Sequence, residues 1–352
     1  MPVTLLRRGW RYSPSTMAQP EVVTVDVAGE PVRVTSPGKV LFPEQGWTKM
    51  DLVSHFIGCA DGALRGVYGR PTVLKRWREG VAGKPFFQKR APKDSEHEYA
   101  TIRFPSGRTA DLLVPRHSAD IVWMAHLGCL DLNPWPVRAE AVDRPDELRV
   151  DLDPMPGVDF GAVRAVALET RDVLTEYELV AWPKTSGNRG IHVYVRIAPE
   201  WTFTAVRRAA LALAREVERR IPQQATSKWW KEERHGVFLD YNQNARDRTI
   251  ASAYSVRQTG LVSAPLRWDE VADADPRDFP LDRFVADRYS AVGDLSEGID
   301  EAVGRLDGLL ALARRDEEQG LGDAPWPPHF PKQDGEPMRV QPSRARQAGQ
   351  AT

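Results

Sequence analysis

Two acids placed two residues apart are the first candidates for chemistry in this chain. In Leu148-Arg149-Val150-Asp151-Leu152-Asp153-Pro154-Met155-Pro156-Gly157, the apolar residues Leu148, Val150 and Leu152 alternate with Arg149, Asp151 and Asp153. Alternation is the period of a strand, so both carboxylates share one face, and Pro154, Pro156 and Gly157 are expected to stop it. Like charges held this close are unfavourable unless a cation lies between them. The pair therefore reads as ligands for a hard divalent ion, Mg²⁺ or Mn²⁺; the plainer alternative is a solvated strand edge. A third acid, Asp240, falls out of phase with Val237 and Leu239 in Gly236-Val237-Phe238-Leu239-Asp240-Tyr241. A third carboxylate on a strand face is what a two-metal site requires.

A second group is cationic. Lys184-Thr185-Ser186-Gly187-Asn188-Arg189-Gly190 combines two glycines, two hydroxyls and two cations, and the next strand places His192, Tyr194 and Arg196 opposite Ile191, Val193, Val195 and Ile197. Such a loop offers backbone N–H groups to phosphate, or is a solvated turn. An imidazole and a guanidinium on one strand face beside it suit a triphosphate. From Arg65 to Lys93 stand nine basic residues against one acid, Glu79, and this stretch contains the adjacent pair Phe86 and Phe87. Side chains of neighbouring residues in an extended segment point to opposite faces, so one ring is expected outside and one inside. The outer ring is either a loop anchor or a stacking platform for an unpaired base.

The elements that must carry these groups follow from the pattern. Val22–Val34 alternates about Gly29-Glu30 as a hairpin, and Thr48 caps a helix with Leu52, Val53, Phe56 and Ile57 on one side. Pro71–Trp77 reads as a strand, Leu179–Trp182 as another, and Ser252–Arg257 as a third. Helices are expected from Asp159 to about Tyr177, from Thr204 to Ile221 and from Glu301 to Arg315. The polar face of the Asp151 strand suits a sheet open to solvent on one side. Residues 1–21 are expected to be a flexible arm in which Met17 is a possible start, 22–316 the folded domain, and 317–352 a disordered Pro-rich tail.

The bulk composition is that of a globular chain: 352 residues, 41% hydrophobic, 28% charged, net charge −1. The chain carries no apolar run near the ~20 residues that span a membrane, and its N-terminal stretch lacks a signal-peptide core. Two cysteines, Cys59 and Cys129, imply neither a disulfide framework nor a structural zinc site, and point to a reducing cytoplasm.

Three motifs, Asp151-Leu152-Asp153-Pro154, the run from Lys184 to His192, and Val237-Phe238-Leu239-Asp240-Tyr241-Asn242-Gln243-Asn244, resemble in content and order the polymerase domain of bacterial end-joining DNA ligases, part of the archaeo-eukaryotic primase-polymerase superfamily. The resemblance runs from about Ser36 to about Leu312. It implies a mixed α/β (α+β) primase-polymerase fold, with two sheets flanked by helices around a cleft, and template-dependent nucleotidyl transfer onto a primer 3′-OH, favouring ribonucleotides. It implies that Asp151, Asp153 and Asp240 hold two divalent cations, Mn²⁺ or Mg²⁺. Nucleotide handling falls to Lys75, Asn133, Lys184, Ser186, Gly187, Arg189, His192, Arg248 and Arg257. DNA contacts fall to Lys39 and Lys49 at a 5′-phosphate across a gap, and to Phe86, Phe87 and Lys89. The implied partners are gapped or primer-template DNA with NTP or dNTP, a separate DNA ligase and an end-binding protein, in a bacterial cytoplasm and at the nucleoid, with no membrane.

Two departures stand out. Asn133 occupies a place that is histidine in many relatives, and it keeps a donor but no positive charge. The approach to Asp240 is one residue short, which raises the question of whether Arg234 replaces an expected arginine. Lys332-Gln333-Asp334-Gly335 mimics the nucleotidyl-lysine motif of a ligase, but only seventeen residues follow it, so a stand-alone polymerase is expected. Two rivals compete with this reading. A haloacid-dehalogenase-type phosphatase also uses D-x-D after a strand, but Met155 stands where Thr or Val is expected. A DNA-end-binding module that has lost catalysis would not need all three carboxylates.

Overall fold

The computed structural model describes residues 21–90, 97–333 and 336–339. The arm up to residue 20, Lys93, the Asp334-Gly335 half of the ligase-like motif and the tail from residue 340 lie outside the described residues.

The chain opens with the expected hairpin, β1 (Val22–Val27) and β2 (Glu30–Thr35). Its turn residues Ala28 and Gly29 both have positive φ, the backbone that matches strand twist in two-residue hairpins. β3 (Val40–Phe42) and β4 (Trp47–Thr48) lead into α1 (Lys49–Gly58), where Thr48 and Asp51 form a reciprocal capping box. After α2 (Ala60–Arg65) comes a sheet built from β5 (Thr72–Arg76), β6 (Phe86–Gln88), β7 (Tyr99–Arg103) and β8 (Thr109–Leu113) in the order β6-β5-β8-β7. Past α3 (Ser118–His126), β9 (Cys129–Pro134) joins this sheet on β5.

The second sheet holds the acids. It comprises β10 (Glu147–Pro154), β11 (Ala181–Thr185), β12 (Ile191–Arg196), β13 (Ala225–Thr226) and β14 (Val237–Leu239), ordered β11-β12-β10-β14-β13. β10 is antiparallel to both neighbours. Leu148, Val150 and Leu152 point to the side covered by α4 (Phe160–Glu176), capped by Asp159, and α5 (Phe203–Arg220), capped by Thr202. The C-terminal part adds α6 (Leu281–Arg283), a π-turn over Phe284–Tyr289, α7 (Ser290–Val292) and α8 (Asp307–Glu318), which packs on α5.

Several expectations are corrected. β10 runs through Pro154, which pairs with Val237 as the last strand residue. Lys184 and Thr185 belong to β11 rather than to the glycine loop. Ser252–Arg257 is not a strand: Tyr254 has φ 65°, which breaks regular extension, and pairing is limited to the Val256–Val262 bridge. The segment instead stitches the two sheets together. Ser252 and Val256 donate to the Leu132 and Leu130 carbonyls of β9, and further on Thr185 of β11 donates to Ala264. The last helix starts at Asp307 because Gly304 is drawn into backbone hydrogen bonds with Arg196 and Ala198. The tail is ordered where it is described beyond Gly320: Trp326 and Phe330 are buried against Ala245.

The polar face of β10 is closed to solvent at its Glu147–Arg149 end, while Asp153 at the other end is exposed. Arg149 is fully buried and donates to the Pro134 carbonyl of β9 (2.9 Å) and to Glu147 (2.6 Å). Glu147 also accepts from Arg196 at 2.7 Å and lies 3.2 Å from Arg70. Arg70 in turn binds Asp146, which meets Arg138 as well. The β5 sheet thus covers this end of the face, and alternation alone could not distinguish a solvated face from one sealed by ion pairs.

Glu147 is the shared counter-charge of Arg70, Arg149 and Arg196, and these cations hold its carboxyl well below the usual range against the cost of burial. Removing one member of a buried ionic cluster leaves uncompensated charge and costs roughly 3–5 kcal/mol. Glu147→Ala is expected to lose about that much in urea unfolding; a loss under 1 kcal/mol would show that water replaces the carboxylate.

Candidate active site

Neighbouring strands bring the three acids to one edge of the β10 sheet. Asp151 and Asp153 lie on the face of β10 turned to the β5 sheet, and Asp240 follows β14 directly, with its N–H donating to the Asp151 carbonyl at 2.9 Å. Asp240 caps the 3₁₀ turn Tyr241–Asn244, its Oδ1 accepting from Asn242 N–H at 3.0 Å. Gln243 donates its amide to Asp151 Oδ2 (3.1 Å) and to Asp240 Oδ2 (3.2 Å), bridging the two. Among the described residues no three acidic, histidine or cysteine side chains are closed into a ligating cluster. The carboxylates face one another across a short space instead.

Their electrostatics show what they lack. Burial, then Asp240 and Asp153, push the Asp151 carboxyl up to about 7, with Arg257 and Lys184 opposing. Asp240 is also raised, first by burial, despite the Asn242 amide, Arg248 and Arg234. Carboxylates forced together in a partly buried cavity are an unrelieved negative charge, and an all-oxygen donor set fits hard divalent cations. Arg234 therefore does reach the electrostatic field of the acids, while its guanidinium stacks 3.5 Å from the Phe238 ring and donates to the Lys228 and Trp229 carbonyls.

The cavity in front of the acids measures about 360 Å³, within the range of small-ligand sites. Its wall includes Lys75, Phe87, Asn133, Ser186, Arg189, His192 and Arg257. Asp131 on β9, unmarked in the sequence reading, organises this wall. It is buried, binds Lys75 at 2.8 Å and faces Arg257 at 4.0 Å, and its Oδ1 has no partner. The only sequence signal was its phase with Asn133 across Leu132. Asn133 is turned inward, donating to the Asp131 carbonyl at 3.0 Å.

Other expected residues take different parts. Lys184 is buried, and its three N–H groups meet His192 Nδ1 (2.7 Å), the Ala251 carbonyl (2.8 Å) and Ser263 Oγ (2.7 Å). It supports His192 from behind rather than facing the cavity. His192 turns Nδ1 to Lys184 and Nε2 to Asp151, whose Oδ1 lies 3.4 Å away. Burial, then Lys184 and Arg257, keep this imidazole neutral.

Two of the loop amides are already used: Ser186 Oγ accepts from Asn188 N–H (3.2 Å) and Gly190 N–H (3.0 Å). Gly187 has φ +69°, and a Cβ there would stand 2.5 Å from the Arg257 side chain, so the loop closes on Arg257 only with glycine. Arg257 donates to the Ser186 carbonyl at 3.2 Å. Arg248 lies near Asp240, with a buried Nε that has no partner.

The cavity continues along β6, where the expectation of one inward ring fails: Phe86 and Phe87 are 50% and 54% exposed. β6 is an edge strand, so neither of its faces has a layer to pack on. Arg78 lies over the Phe86 ring and Lys89 over Phe104. Beyond Phe86 a second cavity of about 350 Å³ is lined by Lys39, Lys49, Arg76, Arg78 and His126. Lys39 reaches the Arg78 carbonyl, and Lys49 donates to the Thr35 carbonyl at 2.6 Å. Burial, followed by Lys39 and Arg76, lowers the Lys49 ammonium, as in a cationic pocket lacking its anion.

A raised carboxyl in the folded state costs stability as pH climbs from about 4, where it ionises in the unfolded chain, through about 7, and the whole cost is present above that. In EDTA, Asp151→Asn is therefore expected to stabilise the protein by up to about 4 kcal/mol at pH 8 and by almost nothing at pH 4. Denaturant midpoints at both pH values test it. A variant no more stable than the parent at pH 8 would mean that the acids do not oppose one another.

Comparison with known proteins agrees with this geometry. Residues 48–296 match the family described as "LigD, primase-polymerase domain". The chain is 32% identical over 310 residues to the multifunctional non-homologous end joining protein LigD of Mycolicibacterium smegmatis, covering 86% of this chain and 40% of that protein. It is 29% identical over 267 residues to the bifunctional non-homologous end joining protein LigD of Bacillus subtilis, covering 74% and 43%. The chain thus spans about two fifths of the length of these relatives. Among solved structures, the polymerase domain of Mycobacterium tuberculosis ligase D in complex with DNA superposes with a TM-score of 0.71 at 30% identity, covering 77% of this chain and 98% of that one. The match leaves no room for the phosphatase alternative. With two sheets meeting over three converging acids, and a family match across most of its length, the chain belongs to the LigD primase-polymerase domain family.

Proposed function

We propose that the protein is a DNA-dependent nucleotidyltransferase that adds nucleotides to a primer 3′-hydroxyl opposite a template, filling gaps at broken DNA ends. The observation that carries this reading is a cavity lined on one side by Asp151 and Asp153, with Asp240 bridged to Asp151 by Gln243 beside them, on the other side by cations, and at its rim by the exposed ring of Phe87. The relatives named for non-homologous end joining, and the neighbour bound to DNA, support the same reading.

In this reading Asp151, Asp153 and Asp240 hold two divalent cations, Mn²⁺ or Mg²⁺. When bound, the ions lower the pKa of the primer hydroxyl and neutralise charge on the transferring phosphate. The chain supplies the rest. Arg257 and Lys75, both turned by Asp131, present cations to the triphosphate, with Arg189 at the cavity rim and Arg248 beside Asp240. His192, kept neutral first by burial, adds no positive charge where its Nε2 approaches Asp151. Ser186 Oγ accepts two loop amides, which leaves its own O–H free to donate to a ribose 2′-OH. Phe86 and Phe87 stack on unpaired template bases, and Lys89 follows the strand.

Partner molecules are gapped or primer-template DNA with a 5′-phosphate, an NTP or dNTP, and in the cell a DNA ligase and an end-binding protein, in a bacterial cytoplasm at the nucleoid. Among the described residues no helix is long and apolar enough to cross a membrane.

Single-nucleotide extension on a gapped duplex with Mn²⁺, run with ribo- and deoxyribonucleotides at matched concentration, tests the reading. The parent is expected to extend, with roughly a tenfold preference for the ribonucleotide, the worth of one buried hydrogen bond. Asp151→Ala and Asp240→Ala are expected to stop extension while keeping DNA binding. A parent that binds such DNA but never extends it is an end-binding module instead.

Lys39 and Lys49 are proposed to grip the downstream 5′-phosphate. Lys39→Ala and Lys49→Ala are each expected to reduce the preference for phosphorylated gaps and to flatten the salt dependence of binding by about one ion. Equal binding of phosphorylated and unphosphorylated gaps by the parent would remove this assignment.

A further inference from the structure

The turn that carries Asp240 is held from behind by the C-terminal strap. Arg207, on α5, is 1% exposed, and every donor on its guanidinium that engages a partner serves one of two segments. Its Nε donates at 2.9 Å to the side-chain Oδ1 of Asn242, the residue whose backbone N–H binds Asp240. Its other nitrogens donate to Asp323 Oδ1 at 2.7 Å and to the Ala324 and Pro325 carbonyls at 3.0 Å. The guanidinium plane lies between two rings, 5.2 Å from Tyr241 of the turn and 4.2 Å from Trp326 of the strap. Cations over aromatic faces in a dry setting add attraction to these bonds.

The strap reaches the same turn a second time. Trp326 and Phe330 form one apolar cluster with Ala245, and His329 lies 3.3 Å from Asp247. The strap also locks itself. Trp326 donates its N–H to Glu336 (2.7 Å) and its indole N–H to Asp323 (2.9 Å), and Arg339 binds Glu336 and the Phe330 carbonyl. The strap residues themselves lie beyond the residues 48–296 that match the family, while Arg207 and the turn lie within them.

The turn needs such a hold. Asp240 sits opposite two like charges, and repulsion acts to swing it out of the cavity. The Asp240 N–H bond to the Asp151 carbonyl and the Asn244 bonds to the Arg149 backbone hold the front of the turn to β10, and its footing on α5 holds the back. We infer that the strap Leu321–Pro331, coupled through Arg207, is a positioning element for Asp240 and thereby sets the affinity of the site for divalent cations. The inference rests on the metal reading proposed above. The strap touches no reacting atom, so its effect is read in metal affinity, with turnover at saturating metal conserved.

The test is Mn²⁺ binding to the full chain without DNA or nucleotide, followed by electron paramagnetic resonance of the free ion. Trp326→Ala removes the ring over Arg207, and Asp323→Ala removes only the more exposed end of the clamp, so at least one of the two keeps the fold. Both are expected to raise the Mn²⁺ dissociation constant three- to tenfold. Nucleotide incorporation is expected to recover to within twofold of the parent at saturating Mn²⁺. Leu309→Ala, in the core of α8, lowers general stability and is expected to leave Mn²⁺ affinity unchanged. A parent that takes up no Mn²⁺ overturns the metal reading itself. A parent that binds Mn²⁺, with strap variants binding equally well, overturns the role of the strap alone.

Discussion

Three carboxylates held close together in a half-buried cavity are the constraint on which the architecture turns. Two of them are there against their own electrostatics: burial, then Asp240 and Asp153, drive Asp151 up to about 7, and burial raises Asp240 as well. A loop could not keep such groups in place, because a loop relaxes. Two of the acids are therefore on the central strand of a five-stranded sheet, hydrogen-bonded on both sides, and the third is tied by its own N–H to that strand. The repulsion is useful only if a cation relieves it, and in the cation's absence it is a standing cost in stability.

The other end of β10 has the opposite problem and solves it by pairing. Arg149, Glu147, Arg196, Arg70 and Asp146 are buried together, with each charge facing an opposite one. Buried ion pairs add little net stability over an apolar core, but they admit few alternative arrangements. Here they fix how the β10 sheet meets the β5 sheet, and so where Lys75, Asp131 and Asn133 stand relative to the acids. One strand thus carries a compensated cluster that sets the geometry and, at its other end, the uncompensated acids of the proposed site.

The net charge of −1 hides a sharp division. Cations line the nucleotide cavity and the pocket of Lys39 and Lys49, with the exposed rings of Phe86 and Phe87 between them. In both cavities several cations lie close together; Asp131 binds Lys75 in the first, and in the second Glu79 lines the wall without an ion pair to Lys39 or Lys49 among the described residues. That difference fits a mobile triphosphate that must be oriented in one and a single phosphate that must be gripped in the other. The average charge of a chain says little about nucleic-acid binding when both signs are sorted in this way.

What the sequence determined by itself was local and periodic. Alternation assigned the faces of β10 and β12, single capping residues started α1 and α4, and the three acids were named from their phase alone. Only the tertiary structure decided what those faces meet. The polar side of β10 is sealed at its Glu147–Arg149 end by arginines rather than water, Lys184 supports His192 instead of facing phosphate, and both rings of β6 are outside because that strand lies at an edge. The roles of Asp131, Gln243 and Arg207 could not be read from the sequence because they come from partners distant along the chain: Asp131 lies 56 residues from Lys75, Gln243 lies 92 from Asp151, and Arg207 lies 116 from Asp323. Periodicity reports which way a side chain points. It cannot report which charge or ring lies opposite, since that depends on how separately formed layers come together.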